Sequence, residues 1–295
     1  MAKASKALRG RMRSVQNTRK ITRTMELVST SKLKRAQDRV VAARPYAAAL
    51  ADVIADLVTP ELAERFPLLR RAAPPAKGGP RRAAVLLVTS NRGLCGGFNS
   101  NLIKEARKRI ETLEAVGYQV ELHCVGRKGI GFFKYLGRPM ATQRIDIGDK
   151  PAAAHAGELV EGLIADYAAG RLASVDVVYA RFVTPISTPP TTLGVLPVQT
   201  PAARARGVKA DYILKPDADQ ILEQLLPLYV RNQVYRGLVE TAAAEHGARR
   251  TAMKNATDNA GEIYEILKRT YNRQRQAAIT QEIAEIVGGA AALEG

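Results

Sequence analysis

Tryptophan is absent, aromatic residues make up 5% of the chain, and 295 residues include only two cysteines and three histidines. Each scarcity excludes something. So few rings argue against a dense sandwich core and favour long helices built from Ala, Leu and Ile. Cys95 and Cys124 make neither a metal motif nor a secreted disulfide framework. The expected compartment is therefore reducing, and the thiols are expected to be plain buried ones. His123, His155 and His246 belong to no HExxH or related ligand pattern, so each is expected to be a surface or satisfied core residue. No apolar run approaches the roughly 20 residues a membrane span needs. The N-terminus is basic but lacks the apolar stretch of a secretory signal, and its helical pattern starts by Leu8 without a cleavable leader. No nucleophile elbow, Cys–His pair or paired carboxylates stand out. The expectation is no catalytic residue, no metal and no cofactor.

Acids are scarce at one end. Residues 1–44 hold 13 Lys+Arg against 2 acids, whereas residues 228–295 hold 9 against 8. The formal charge of +17 is thus mainly a property of an N-terminal arm, and it points to an acidic partner. The arm has no aromatic residue before Tyr46, so it offers no stacking platform for nucleic acid. Its apolar stripe favours a helix packed on a partner over a disordered tail.

Proline is missing from both ends as well. All 15 prolines fall between Pro45 and Pro227. Proline costs about 3 kcal/mol inside a helix, so residues 11–44 and 228–295 are the blocks free to form long helices. Leu8, Met12 and Val15 are spaced 4-3, as are Ile21, Met25 and Val28. Ala256, Ala260, Ile263 and Leu267 run 4-3-4, and Ile279, Ile283 and Ile286 run 4-3. That is the seam of a short, imperfect coiled coil. At about 1.5 Å per residue, a helix over 228–295 would span roughly 100 Å, more than the N-terminal helix covers.

The middle reads differently. Phe66 to Arg82 is rich in Pro and Gly and reads as a linker. Ala83–Thr89 and Tyr118–Val125 are expected strands, with helices at about 100–116, after Gly126, and over Ala152–Ala169. Val175–Val183 is strand-like, and Leu193–Val198 and Tyr212–Leu214 are strand or strand edges, with Pro185, Pro189 and Pro190 breaking the run between. Such alternation implies a small, mostly parallel sheet covered by helices.

Two segments invite a functional reading. Thr89–Asn99 follows a strand and precedes a helix, where a doubly wound fold binds phosphate. Its glycines do not have the GxGxxG spacing and no Gly-Lys-Ser/Thr follows, so a tight turn needing glycine freedom is the better account. The second is the C-terminal helix, whose end from Ile286 to Leu293 carries no charge. A bare apolar helix end is expected to insert into a socket.

Several strings resemble one family. Val15-Gln16-Asn17-Thr18-Arg19-Lys20-Ile21-Thr22, Met25-Glu26-Leu27-Val28 and Ser31-Lys32-Leu33 resemble the N-terminal helix of the gamma subunit of F-type ATP synthase, as do Arg44-Pro45-Tyr46 and Arg92-Gly93-Leu94-Cys95-Gly96-Gly97. Ala252 to Asn259 and the pattern Ile279-Thr280-x-Glu282-x-x-Glu285-x-x-x-Gly289-Ala290 resemble its C-terminal helix. The resemblance covers both ends and the first strand-turn of the middle, and little of residues 127–215. Asn91 stands where that family commonly has Asp, and Ser29-Thr30 stand where it has two alanines. The regulatory cysteine pair of the chloroplast version is absent.

The resemblance implies an α/β protein: a long antiparallel coiled coil of the terminal helices plus a small, mostly parallel Rossmann-like α/β domain. Residues 1–65 would be the N-terminal helix, 66–82 the linker, 83–215 the base domain, and 216–295 the C-terminal helix with its apolar tip. It implies a non-catalytic central-stalk rotor, one copy per complex, coupling proton or sodium flow to ATP synthesis. Implied partners are the alpha and beta subunits of the hexamer, the epsilon subunit and the ring of membrane c subunits, at the cytoplasmic face of a bacterial membrane. Implied partner contacts are Arg9, Lys20, Arg23, Met25, Lys32, Arg249, Arg275, Gln276, Thr280, Glu282, Ile286 and Val287. Two other readings compete: a nucleic-acid-binding protein using the basic arm, and a nucleotide-binding enzyme using the turn at Gly93–Gly97.

Overall fold

The computed structural model describes residues 2–70, 81–199 and 217–293. Two helices dominate it, α1 over Ala2–Leu57 and α6 over Ala218–Leu293. Between them come α2 (Pro60–Arg65), β1 (Arg81–Val88), α3 (Phe98–Ala115), β2 (Tyr118–Val125), α4 (Arg127–Tyr135), β3 (Thr142–Arg144), α5 (Ala153–Ala168), β4 (Ser174–Ala180) and β5 (Pro190–Leu196). The chain divides into two units, Met1–Ser29 with Arg250–Gly295, and Thr30–Arg249.

The larger unit is built on a five-stranded sheet of order β3-β2-β1-β4-β5. β1 pairs in parallel with both β2 and β4, β2 with β3 likewise, and only β5 runs antiparallel. β1 is central because Ala83 to Val88 are all buried, as a strand covered on both faces requires. Its alternate side chains feed two cores. Ala84, Leu86 and Val88 meet α5, with Leu50 and Ile54 of α1 and Leu222 to Leu238 of α6. Ala83, Val85 and Leu87 meet α3 and Phe133 of α4, with Leu33, Ala36 and Val40 of α1 and Val239, Ala243 and Ala244 of α6.

The smaller unit is an antiparallel helix pair. Arg9 donates to the Tyr271 hydroxyl at 2.6 Å and Thr257 donates to the Thr22 hydroxyl at 2.8 Å, so one helix rises in number as the other falls.

Three expectations are corrected. First, the helices are not confined to the proline-poor blocks 11–44 and 228–295: Pro45 and Pro227 lie inside α1 and α6. Pro45 and Val41, whose carbonyl loses its donor, are both exposed, so that carbonyl is open to solvent. Second, the seam is shifted by one residue around Ile21–Val28, while Leu8, Met12 and Val15 are half-buried as a seam requires. Ile21 and Val28 are 60% and 51% exposed and Ile263 is also on the outside, while Thr22, Glu26, Ser29, Met253 and Thr257 are buried; Ala260, an expected seam position, is buried as well. Threonines fit there because their hydroxyls are satisfied: Thr22 donates to the Arg19 carbonyl and Thr257 to Met253 or Thr22. Third, β3 was not expected and β5 starts at Pro190, which had been read as a breaker. Proline is tolerated as the first residue of an edge strand. The expected strand at Tyr212–Leu214 and residues 71–80 of the linker lie outside the described residues.

Candidate functional site

In the helix-pair unit, Arg9, Lys20 and Arg23 are exposed and Met25 is half-buried. Arg9 is anchored through its bond to Tyr271 and lies over that ring, 5.5 Å from the centroid. Arg23 pairs with the nearly buried Glu26 at 2.9 Å. Lys20 has no ion pair among the described residues. On α6, Arg275, Gln276, Thr280 and Glu282 are all exposed. Thr280 turns its hydroxyl back to the Gln276 carbonyl at 3.0 Å. Beyond them Ile279, Ile283, Ile286 and Val287 stay exposed, Ile286 to 71%. Four large aliphatic side chains near the end of α6, each about half or more exposed among the described residues, form an apolar surface of the kind that marks an interaction site.

Lys32 and Arg249 are placed otherwise, inside the sheet unit. Lys32 Nζ is 2.5 Å from Asp149 Oδ2, in the loop after β3, and Arg39 donates to the Asp149 carbonyl at 3.0 Å. His246 Nε2 stands 3.6 Å from the other carboxylate oxygen. Arg249 is 7% exposed. It pairs with Glu245 at 2.5 Å and donates twice, at 3.3 Å, to the Gly93 carbonyl. The arginine thus fastens α6 to the β1–α3 turn. Sequence spacing carried no trace of this network, because its members come from positions 32, 93, 149 and 245–249 and meet only through the fold.

The turn itself is held internally. Ser90 donates to the Arg92 carbonyl at 2.6 Å, its N–H donates to Asn99 Oδ1, and Asn99 reaches Cys95 Sγ at 3.2 Å. Leu94 and Gly96 adopt positive φ of 62° and 59°. Asn91 donates to the Ile145 and Ile147 carbonyls and accepts from the Arg127 N–H. A carboxylate there could not donate, so the Asn91 amide has a structural use. The first amides of α4 are consumed in the same way, by Asn91, Ser90 and Thr89. Phosphate binding at that helix start would have to displace all three. A cavity of about 610 Å³ opens beside these strand ends, lined by Arg92, Arg127, Asp149 and Glu245 among others.

Burial pushes the His246 imidazole down to about 4, with Asp149 opposing and Arg249 and Lys32 reinforcing. The Asp149 carboxyl feels burial upward, but Lys32 and His246 hold it below the usual carboxylate range. Burial pushes Glu245 up against Arg249. His246 is therefore neutral at pH 7. Between pH 6.5 and 4 the unfolded chain binds a proton here that the folded chain refuses, so stability falls as pH falls through that window. The expected slope reaches about 1.4 kcal/mol per pH unit. Melting curves from pH 7 to 4 should show this slope in the parent and a flatter one in His246→Gln; equal slopes would remove the assignment.

The other titratable core groups are quieter. Cys95 and Cys124 are buried and free, and burial pushes the Cys124 thiol up to about 12. His123 is not fully satisfied as expected: Nδ1 meets Thr142 Oγ1 at 3.0 Å, but Nε2 finds no partner. His155 accepts from the Ala152 N–H at the start of α5.

Comparison with known proteins adds to this geometry. A family model described as ATP synthase matches residues 4–293. The ATP synthase gamma chain of Gemmatimonas aurantiaca is 62% identical over 296 residues, covering all of both chains. That of Leptospira biflexa is 42% identical over 287 residues, 97% of this chain and 98% of the relative. A chain in the cryo-EM structure of the Euglena gracilis mitochondrial ATP synthase (OSCP/F1/c-ring, rotational state 3) aligns with 99% of this chain and 95% of its own, at a TM-score of 0.66 and 18% identity. A chain of that synthase's rotor in rotational state 1 aligns with 95% and 100%, at 0.63 and 16%. At such low identity these two speak for the fold alone.

Proposed function

The chain belongs to the ATP synthase gamma-chain family, whose members are non-catalytic subunits, and from that premise we propose that it is the central shaft of a rotary ATP synthase. It transmits torque between a ring of c subunits in the membrane and the catalytic alpha/beta hexamer, coupling proton or sodium flow to ATP synthesis. The observation that carries this reading is the end of α6: a polar, exposed stretch with Arg275, Gln276, Thr280 and Glu282, followed by Ile286 and Val287 bare to solvent.

The physics suits a turning part. Apolar contact has no preferred direction, so an aliphatic tip seated in a sleeve resists rotation little. The exposed charges of α1 and α6 serve as handles. Surface ion pairs are each worth only about 0–1 kcal/mol, so contacts with an acidic loop of the beta subunit are made and broken cheaply at every step. Arg9, Lys20, Arg23, Met25, Arg275, Gln276, Thr280 and Glu282 are the proposed handles, and Ile286 and Val287 the bearing. Lys32 and Arg249 are proposed to act from inside, by holding the helices and the β1–α3 turn in place.

Among the described residues no helix is long and apolar enough to cross a membrane. The proposed attachment is peripheral, at the cytoplasmic face of a bacterial membrane, through the c-ring and the epsilon subunit. Nothing in the fold or the relatives supports the nucleic-acid reading.

Co-expression with the same organism's alpha and beta subunits tests the proposal, with the purified assembly weighed by native mass spectrometry. One copy per three alpha–beta pairs is expected, with ATPase activity lost when the chain is omitted. A chain ending at Glu285 should assemble more weakly or hydrolyse ATP with poorer coupling. A free chain beside an unaltered alpha–beta mixture would overturn the shaft reading. Unchanged assembly and coupling in the shortened chain would remove the bearing role.

A further inference from the structure

A rotor that carries torque needs its helices fixed to its sheet, and the sheet unit shows how this is done. α6 is tied at three loops. Glu240 accepts from the Phe182 N–H at 3.0 Å and Thr241 from the Ala180 N–H at 3.2 Å, both at the end of β4. Arg249 holds the Gly93 carbonyl after β1. Beside them Gly247 lets the β4–β5 loop come close, for a Cβ there would meet the Pro185 carbonyl at 2.8 Å.

The third loop does more. Asp149, between β3 and α5, meets α1 twice, with its carboxylate on Lys32 and its carbonyl on Arg39, and the same carboxylate faces His246 of α6. One loop residue therefore touches both long helices. Backbone and side chain are both engaged, and the residue is only partly exposed. A carboxylate accepting from a cation makes a shorter, stronger bond than a neutral pair would.

We propose that Asp149 is a positioning residue for torque transfer: within the sheet unit it ties α1 to the loop after β3 and packs that loop against α6, so that rotation of the sheet drives the helices without slip. This rests on the shaft reading. Without the carboxylate the complex still assembles and hydrolyses ATP when unloaded, but under an opposing ion gradient the helices give relative to the sheet and turnover ceases to drive pumping.

The test uses the assembled complex in membrane vesicles, with Asp149→Asn, Asp149→Glu and Arg39→Met. Subunit stoichiometry, unloaded ATPase rate and ions pumped per ATP are measured on each. Asp149→Asn should assemble and hydrolyse ATP as the parent does, while ions pumped per ATP fall about threefold, the scale on which a partly exposed ion pair shifts a two-state balance. Asp149→Glu should recover part of that loss, and Arg39→Met should show a smaller loss. Parental pumping per ATP in Asp149→Asn would overturn the proposal. Should Asp149→Asn fail to assemble, parental pumping in an assembled Arg39→Met complex would overturn it instead. A parent chain that never joins the complex would refute the shaft reading itself, a result visible in the stoichiometry before any pumping is measured.

Discussion

Gly126→Ala should abolish a stable sheet unit. Gly126 follows β2 directly and has φ of 96°, a conformation that costs an L-residue about 1–3 kcal/mol. The larger cost is steric. An added Cβ would overlap the Thr89 carbonyl and sit 2.7 Å from the Thr89 hydroxyl. Thr89 has no room to move: its N–H donates to the Val125 carbonyl, and its hydroxyl donates to the same carbonyl and accepts from the Gly129 N–H. Strain and overlap together put the loss beyond about 4 kcal/mol, in the range reserved for named structural faults. Gly131, four residues after α4 begins, is the control, since a Cβ there meets nothing within 4 Å. Gly131→Ala should be neutral or stabilise by up to about 1 kcal/mol. Circular dichroism melts of the two variants check both. A Gly126→Ala protein melting within about 4 °C of the parent would show that the turn yields more easily than its hydrogen bonds suggest.

Arg109→Leu should be nearly as damaging, for an electrostatic reason. Asp176, in the middle of β4, has a side chain 4% exposed. Arg109 of α3 meets its Oδ2 with two nitrogens, each at 2.9 Å. Burial already pushes the Asp176 carboxyl up, and Arg109 is what opposes it. Removing one partner of a buried pair typically costs about 3–5 kcal/mol. The variant's carboxyl would then hold its proton to higher pH than in the unfolded chain. Its contribution is thus intact below the unfolded value and is lost as pH rises toward the folded one, so Arg109→Leu should be more stable near pH 4, relative to the parent, than at pH 7. Arg109→Leu with Asp176→Leu should regain most of the loss, because no charge is left buried. Chemical denaturation at both pH values distinguishes this from a packing defect, which would give the same loss at each.

How much of this could be read from the residues depends on the kind of signal. β1 and β2 were legible because Ala83–Val88 and Val120–Val125 are short, β-rich and bounded by turns. β3 was not, since Thr142-Gln143-Arg144 is three polar residues whose strand character comes from pairing with His123 to Val125. The helix seam was misplaced by one position because an apolar count favours Ile21 and Val28 over Thr22 and Ser29. Only the partner helix reveals that Thr257 satisfies Thr22. Proline was given too much weight: on an exposed helix face its missing N–H costs less than tertiary packing returns. Of the expected contact residues, Arg9, Lys20, Arg23, Arg275, Gln276, Thr280, Glu282, Ile286 and Val287 emerge exposed, and Met25 half-buried. Lys32 and Arg249 could not be told apart from them by sequence, because a basic residue on a helix reads the same whether its acid is internal or on a partner.

The chain order of the long pairings carries a consequence for synthesis. Arg9 meets Tyr271 across 262 positions and Thr22 meets Thr257 across 235. At about 5–20 residues per second, the first helix made leaves the ribosome roughly 10–50 s before its partner does. Through that interval the stripe of Leu33, Ala36 and Val40 has no Ala243 or Ala244 to cover it. The earliest segment translated is among the last to be packed, and a nascent-chain chaperone would find its natural hold there.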